Sequence, residues 1–228
     1  VKPLRGSYGL GVTVDVRTAG ELRAAFGYAR RYHEQVILEE FFRGLDIRVL
    51  VIGGKARAAL LRIPAHVVGD GRSSIDRLIL RKNRLRFENP RLSKAPIIPD
   101  INIERLLARQ GYTRSSVPQK DEVIFLHLKA NIGAGADSVV LTGIHPDLMR
   151  LPEEAAAAFG VVDFWGVDLL VERLDRPRNE QRCAIIEINS RANIFNVQFP
   201  LYGEPFDAAR SLIDSLFPEE SSDSVYPF

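Results

Sequence analysis

Polarity changes along this chain in short stretches, and each stretch has a readable period. Val12-Thr13-Val14-Asp15-Val16 alternates apolar with polar and is β-branched, which predicts a half-buried strand after a glycine-rich turn. Val36-Ile37-Leu38 is a short buried strand, and Asp46 to Ile52 is a second one. Gly53-Gly54 then signals a hairpin that returns through Lys55 to Ile63. Between the early strands, Leu22, Ala25, Phe26 and Ala29 repeat at helical spacing. Thr18 with Glu21 makes a capping box at the head of that helix, which runs to about Tyr32. Residues 1–63 therefore read as a small α+β lobe.

The middle of the chain is less regular. Pro64 to Gly71 reads as a loop, Ser73-Ser74-Ile75-Asp76 starts a helix to about Arg84, and residues 101–110 form another that Gly111 stops. Residues 123–129 alternate as a strand, and Ala130 to Gly143 is a loop of small residues. Pro152-Glu153-Glu154 opens a helix ending near Gly160. Val167 to Val171 and Ala184 to Ile188 are strands, residues 206–216 are a last amphipathic helix, and residues 219–228 are a loose acidic tail. The expected division is 1–63 and 64–218.

Composition narrows the possibilities. The 228 residues are 46% hydrophobic with a formal net charge of +2, which suits a sizeable core and argues against a general nucleic-acid coat. No run of about 18 uncharged apolar residues predicts a membrane span. The one cysteine, Cys183, excludes an internal disulfide and a Cys-based metal cluster, and fits a reducing, cytoplasmic setting. It reads as a small core residue rather than a reactive thiol. Arg81 to Lys94 is a basic stretch whose ordinary reading is a solvated helix face. His33, His127 and His145 read as structural; His66 stands beside a Gly-Asp-Gly loop. The opening Val1-Lys2-Pro3 reads as the tail of a strand inside a fold, so a segment upstream is expected.

Three constellations carry chemistry. Lys2 precedes Gly6-Ser7-Tyr8-Gly9-Leu10-Gly11, whose glycines let backbone amides converge on phosphate oxygens. A ligand-free glycine hairpin is the plainer alternative. Glu39-Glu40-Phe41-Phe42 leaves a strand toward Asp46, an arrangement that presents backbone to an adenine edge, an aromatic to its face and an acid to ribose; an exposed acidic hinge with core Phe residues is equally open. In a strand, Glu187 and Asn189 project to one face, and Asp168 joins them if its strand is adjacent. Two carboxylates and an amide oxygen suit Mg²⁺, although acids at strand ends also face solvent.

In this order the constellations resemble the ATP-grasp superfamily. They are most similar to the ATP-grasp parts of cyanophycin synthetase, of bifunctional glutamate–cysteine ligase/glutathione synthetase, and of N-acetylglutaminylglutamine amide synthetase. The likeness extends through Arg62-Ile63-Pro64-Ala65-His66-Val67-Val68-Gly69-Asp70-Gly71, Gln110-Gly111-Tyr112-Thr113, Ala130-Asn131-Ile132, His145-Pro146, Glu187-Ile188-Asn189 and Leu216-Phe217-Pro218. It implies an α+β ATP-grasp fold of two lobes, with the N-terminal preATP-grasp domain outside this chain. It also implies an ATP-dependent carboxylate–amine ligase that works through an acyl phosphate on amino acids or small peptides. An ATP-binding module without ligase activity is the alternative.

By this resemblance Lys2, Gly6, Ser7, Gly9 and Gly11 hold phosphates, Glu39 to Phe42 hold adenine, and Asp46 holds ribose. Asp168, Glu187 and Asn189 ligate two Mg²⁺ ions, or Mn²⁺. Arg62, with Lys2, offsets charge on the transferring phosphoryl group, and Asn131 and Arg48 are weaker phosphate or acyl-site candidates. Small-molecule substrates and a homo-oligomer are the implied partners, with no nucleic acid or membrane. Two departures stand out: Ser7-Tyr8 replaces the relatives' usual pair in the loop, and Ser190 to Asn196 lacks their more usual proline. The second region helps choose the amine, so the substrate stays open.

Overall fold

The computed structural model describes residues 1–6, 9–160 and 163–218. Two compact units divide at Arg43/Gly44.

In the first unit, β1 (Lys2–Pro3) pairs antiparallel with β2 (Val36–Ile37), Lys2 opposite Ile37. Helix α1 (Ala19–Ala29) connects them in sequence. Its capping box is formed as expected: Thr18 Oγ1 accepts from the Glu21 amide, and Glu21 accepts from the Thr18 amide. Val12 to Val16, expected as a strand, is irregular. Thr13 exchanges two backbone hydrogen bonds with Val1, and Asp15 then turns to φ 53°, a left-handed value that ends any extended run.

The second unit is built on β3 (Leu45–Ile52) and β4 (Lys55–Ile63), joined at Gly53-Gly54, whose φ values of 58° and 72° fit the tight turn. β5 (His66–Val68) pairs with β6 (Val123–Phe125), with α2 (Ile75–Glu88) and α3 (Ile101–Arg109) between them in sequence. After these come β7 (Asp137–Val140), α4 (Pro146–Phe159), β8 (Phe164–Val171), β9 (Cys183–Asn189), α5 (Phe195–Gln198) and α6 (Ala208–Leu216). The main sheet has the order β7-β4-β3-β8-β9 and is antiparallel throughout.

Ile47, Val49 and Val51 on β3, with Val167 and Leu169 on β8, form a fully buried face against Leu148 and Ala156 of α4. The other face is apolar at one end only. There Leu50, Ala58 and Leu60 pack with Leu92, Ile132, Ala192 and Val197. The small sheet has its own core, in which Val67 and Ile124 meet Ile75, Ile79, Ile103 and Leu107.

Four sequence expectations change. β3 and β4 join the later strands in one sheet, so the observed break falls at residue 43 and not 63. Strands β5 and β7 lie where loops were expected; neither exceeds four residues, too short to establish a period. Helix α4 begins at Pro146, with the His145 ring accepting from the Asp147 amide, and Pro152 lies inside it. The basic stretch is a solvated face only in part: Arg81, Arg84 and Lys94 are exposed, but Lys82 and Arg86 are buried, while Leu80, Leu85 and Phe87 are exposed. The physical reason is Asp137, a fully buried carboxylate that draws both cations inward.

Candidate active site

The first unit contains a cavity of about 490 Å³, lined by residues that include Lys2, Thr13, Asp15, Leu22, Glu39 and Phe41. That volume is in the range of small-molecule sites. The β1–β2 pairing brings the chain leaving β2 beside Lys2, and Lys2 Nζ lies 2.7 Å from Glu39 Oε2. Lys2 of the first constellation and Glu39, 37 positions later, thus line one cleft. Phe41 is partly exposed, with the Arg43 guanidinium 6.0 Å from its ring centre. Arg43 also bonds Asp15, which accepts two further bonds from Arg17; these guanidiniums hold the Asp15 carboxyl below its ordinary pKa. Asp15 escaped the sequence reading, because Val12 to Val16 looked like a strand.

Glu40 lines the same cavity; Phe42, Gly6, Gly9 and Gly11 are not among its lining residues. Gly11 has φ 73°, and a Cβ there would come within 2.8 Å of the Tyr32 ring, so its backbone requires glycine. Ser7 and Tyr8 lie outside the described residues.

The second unit collects the remaining candidates. Asp46 and Arg48 alternate on β3, Arg62 stands opposite Asp46 on β4, and Asp168 stands opposite Arg48 on β8. Glu187 on β9 is opposite Asp168, and Asn189 is opposite Gly166. The register therefore puts all six side chains on the sheet face away from α4. Arg48 donates to both Asp168 oxygens, at 2.6 and 2.7 Å, as a fork. Arg62 donates from Nε and Nη2 to Asp46 Oδ1, at 2.9 and 2.5 Å, and from Nη2 to Asp168 Oδ2 at 3.0 Å.

Burial raises the Asp46 pKa, outweighing the pull of Arg62. Burial opposes the charge on Arg62, but Asp46 and Asp168 together raise its pKa. Asp46, expected at ribose, is thus an ion-pair partner within the second unit. Arg48 enters more strongly than its sequence rank suggested, as the first partner of Asp168. Opposite charges at same-parity positions of two strands were the signal for that pair, but the register was needed to use it.

Asp168 is almost fully buried, Asn189 is half-buried, and Glu187 is exposed and bonds no other side chain among the described residues. Among the described residues, no three His, Cys, Asp or Glu side chains are placed to hold a metal ion. The candidate set is instead two acids and an amide, hard oxygen donors on adjacent strands, which fit Mg²⁺. Gly166 is required on this face: a Cβ there would come within 2.3 Å of the Ala192 methyl, which fills the space above it. Asn131 caps a single helical turn, its Oδ1 accepting from the Gly133 amide at 2.9 Å. Its neighbour Ile132 packs into the apolar end of the same sheet face.

Comparison with known proteins agrees with this architecture. The chain is 35% identical over 230 residues to cyanophycin synthetase of Trichormus variabilis, covering 99% of this chain and 25% of that protein. It is 33% identical over 228 residues to the glutathione biosynthesis bifunctional protein of Pasteurella multocida, covering 96% and 30%. The crystal structure of a bifunctional glutathione synthetase from Pasteurella multocida superposes with a TM-score of 0.72 at 32% identity, covering 96% of this chain and 31% of that one. This chain has the ATP-grasp fold and is a homologue of part of these synthetases. It spans about a quarter to a third of their length. No protein-family model matches it. Among the described residues, no helix is long and apolar enough to cross a membrane.

Proposed function

We propose that this chain is the nucleotide- and metal-binding part of an ATP-dependent carboxylate–amine ligase, which forms an amide through an acyl phosphate. The observation that carries this reading is the single sheet face bearing Arg48, Arg62, Asp168, Glu187 and Asn189. Guanidiniums and hard oxygen donors side by side are what phosphoryl transfer to a carboxylate requires. The names of a cyanophycin synthetase and of a bifunctional glutathione synthetase among its relatives support the same class.

In the first unit, Lys2 supplies a fixed positive charge for nucleotide phosphates, the Glu39–Phe42 segment presents backbone to adenine, and Phe41 covers the ring. Gly6, Gly9 and Gly11 offer backbone amides to phosphate oxygens. In the second unit, Arg62 and Arg48 offset charge on the phosphoryl group and on the acyl oxygens. Asn131 presents its amide to the acyl end. Glu187 and Asn189, with Asp168 beside them, hold Mg²⁺, one ion or two, with Mn²⁺ as a substitute. An ion held by these residues would supply charge neutralisation at phosphate oxygens. The substrates are amino acids or small peptides.

The test is ADP release by the full-length protein across a panel of amino-acid and dipeptide pairs, with each product identified by mass. Glu187→Ala and Asp168→Asn should each lose at least about 100-fold in ADP formation, the scale for removing one charge-stabilising group. Their far-ultraviolet circular dichroism should be unchanged. Full turnover in both variants rejects the metal role.

A further inference from the structure

Asp168 and Glu187 stand opposite each other on β8 and β9, yet their surroundings differ. Both oxygens of Asp168 are held by Arg48 and Arg62, whereas Glu187 has no side-chain partner among the described residues. We propose that Asp168 is the resident occupant of an anion site formed by Arg48 and Arg62. A divalent cation taken up at Glu187 and Asn189 draws Asp168 away, so that cation and anionic ligand bind cooperatively. This rests on the reading of Glu187 and Asn189 as cation ligands.

Three observations support the exchange. A guanidinium fork accepts carboxylate and phosphate oxygens in the same geometry, and Arg48 already grips Asp168 through two bonds. Residues directly opposite across antiparallel strands have Cβ atoms about 4.5–5.5 Å apart, so one cation can bridge Asp168 and Glu187. Finally, Asp46, Asp168 and Glu187 against Arg48 and Arg62 leave the face with one net negative charge. A divalent cation turns that into one net positive charge. Before it binds, an incoming anion meets guanidiniums already engaged and a repulsive field. Afterwards it meets the freed Arg48 fork, with Arg62, still paired with Asp46, beside it.

The experiment is calorimetric titration of the full chain with inorganic phosphate and with Mg²⁺, each alone and each at saturation of the other. Phosphate affinity should rise at least about fivefold with Mg²⁺, and Mg²⁺ affinity should rise by the same factor with phosphate, since coupling is reciprocal. Asp168→Asn should tighten phosphate binding at least about fivefold without Mg²⁺. Glu187→Gln removes the same charge from the neighbouring strand but frees no arginine, and should change phosphate binding less than about twofold. Equal effects in the two variants, or none in Asp168→Asn, overturn the proposal. In the wild-type chain, the Arg48 and Arg62 Nε–H resonances should move when Mg²⁺ alone is added; unmoved resonances overturn it independently of any variant. A chain that releases no ADP from any substrate pair fails as a ligase, but these anion and cation titrations stand unaffected.

Discussion

Two aspartates in the second unit each draw in two cations, and what else those cations touch separates a scaffold from a site. Asp137 is fully buried with Lys82 and Arg86. Arg86 gives its remaining donors to the carbonyls of Ala95, Ala136 and Ile132. Lys82 donates to His66 O at 2.7 Å and sits 2.6 Å from Asp137 Oδ2, a contact that is ionic without hydrogen-bond alignment. These groups tie α2, the turn before β7 and the start of β5 together, leaving little donor capacity for a ligand. Asp168 also meets two cations, but among the described residues Arg48 and Arg62 bond only carboxylates, and an exposed acid lies next to them. One cluster is closed by main chain; the other keeps exchangeable partners.

The sharpest way to break this contrast is Arg86→Met. It strands Asp137 with Lys82 alone and removes three carbonyl contacts, so unfolding in urea should show a loss of about 3–5 kcal/mol, as for other broken buried pairs. Arg86→Lys should recover little, because an ammonium cannot span the same fork. A loss under about 1 kcal/mol would place Arg86 with the exchangeable cations. Arg62→Met should shift the balance toward activity, with ADP formation down about 100- to 1000-fold and a smaller loss of unfolding free energy than Arg86→Met, because Asp168 keeps Arg48 and Asp46 is partly exposed. The smallest effect concerns His66, whose Nε2 is 3.7 Å from Asp137 Oδ2. Burial, and then Lys82, lower its folded pKa below the ordinary 6.5. The unfolded chain therefore binds the proton more readily. This contribution to stability is complete above pH 6.5 and declines as pH falls through it. His66→Gln should flatten that part of the urea-midpoint profile between about pH 5 and pH 7.5.

Much of the frame could be read locally. The capping box at Thr18, the Gly53-Gly54 hairpin and the strands holding Asp168 and Glu187 are all where residue pattern put them. The misplaced charges have one cause. A polarity pattern assigns a charge to solvent unless its partner is in view, and Asp137 lies 51 positions from Arg86. Likewise, no local signal says that Asp46 will face Arg62 across a hairpin or that β7 will extend the sheet. Parity placed Glu187 with Asn189, but only the register of β8 against β3 shows that Asp168 meets Arg48 first.

Gly166 gives the face an unforgiving seam. The Ala192 methyl occupies the volume that any side chain at position 166 would need. Even an added methyl must therefore lift the turn that follows Asn189. Whatever diversity arises in that turn must evolve over a floor that cannot rise.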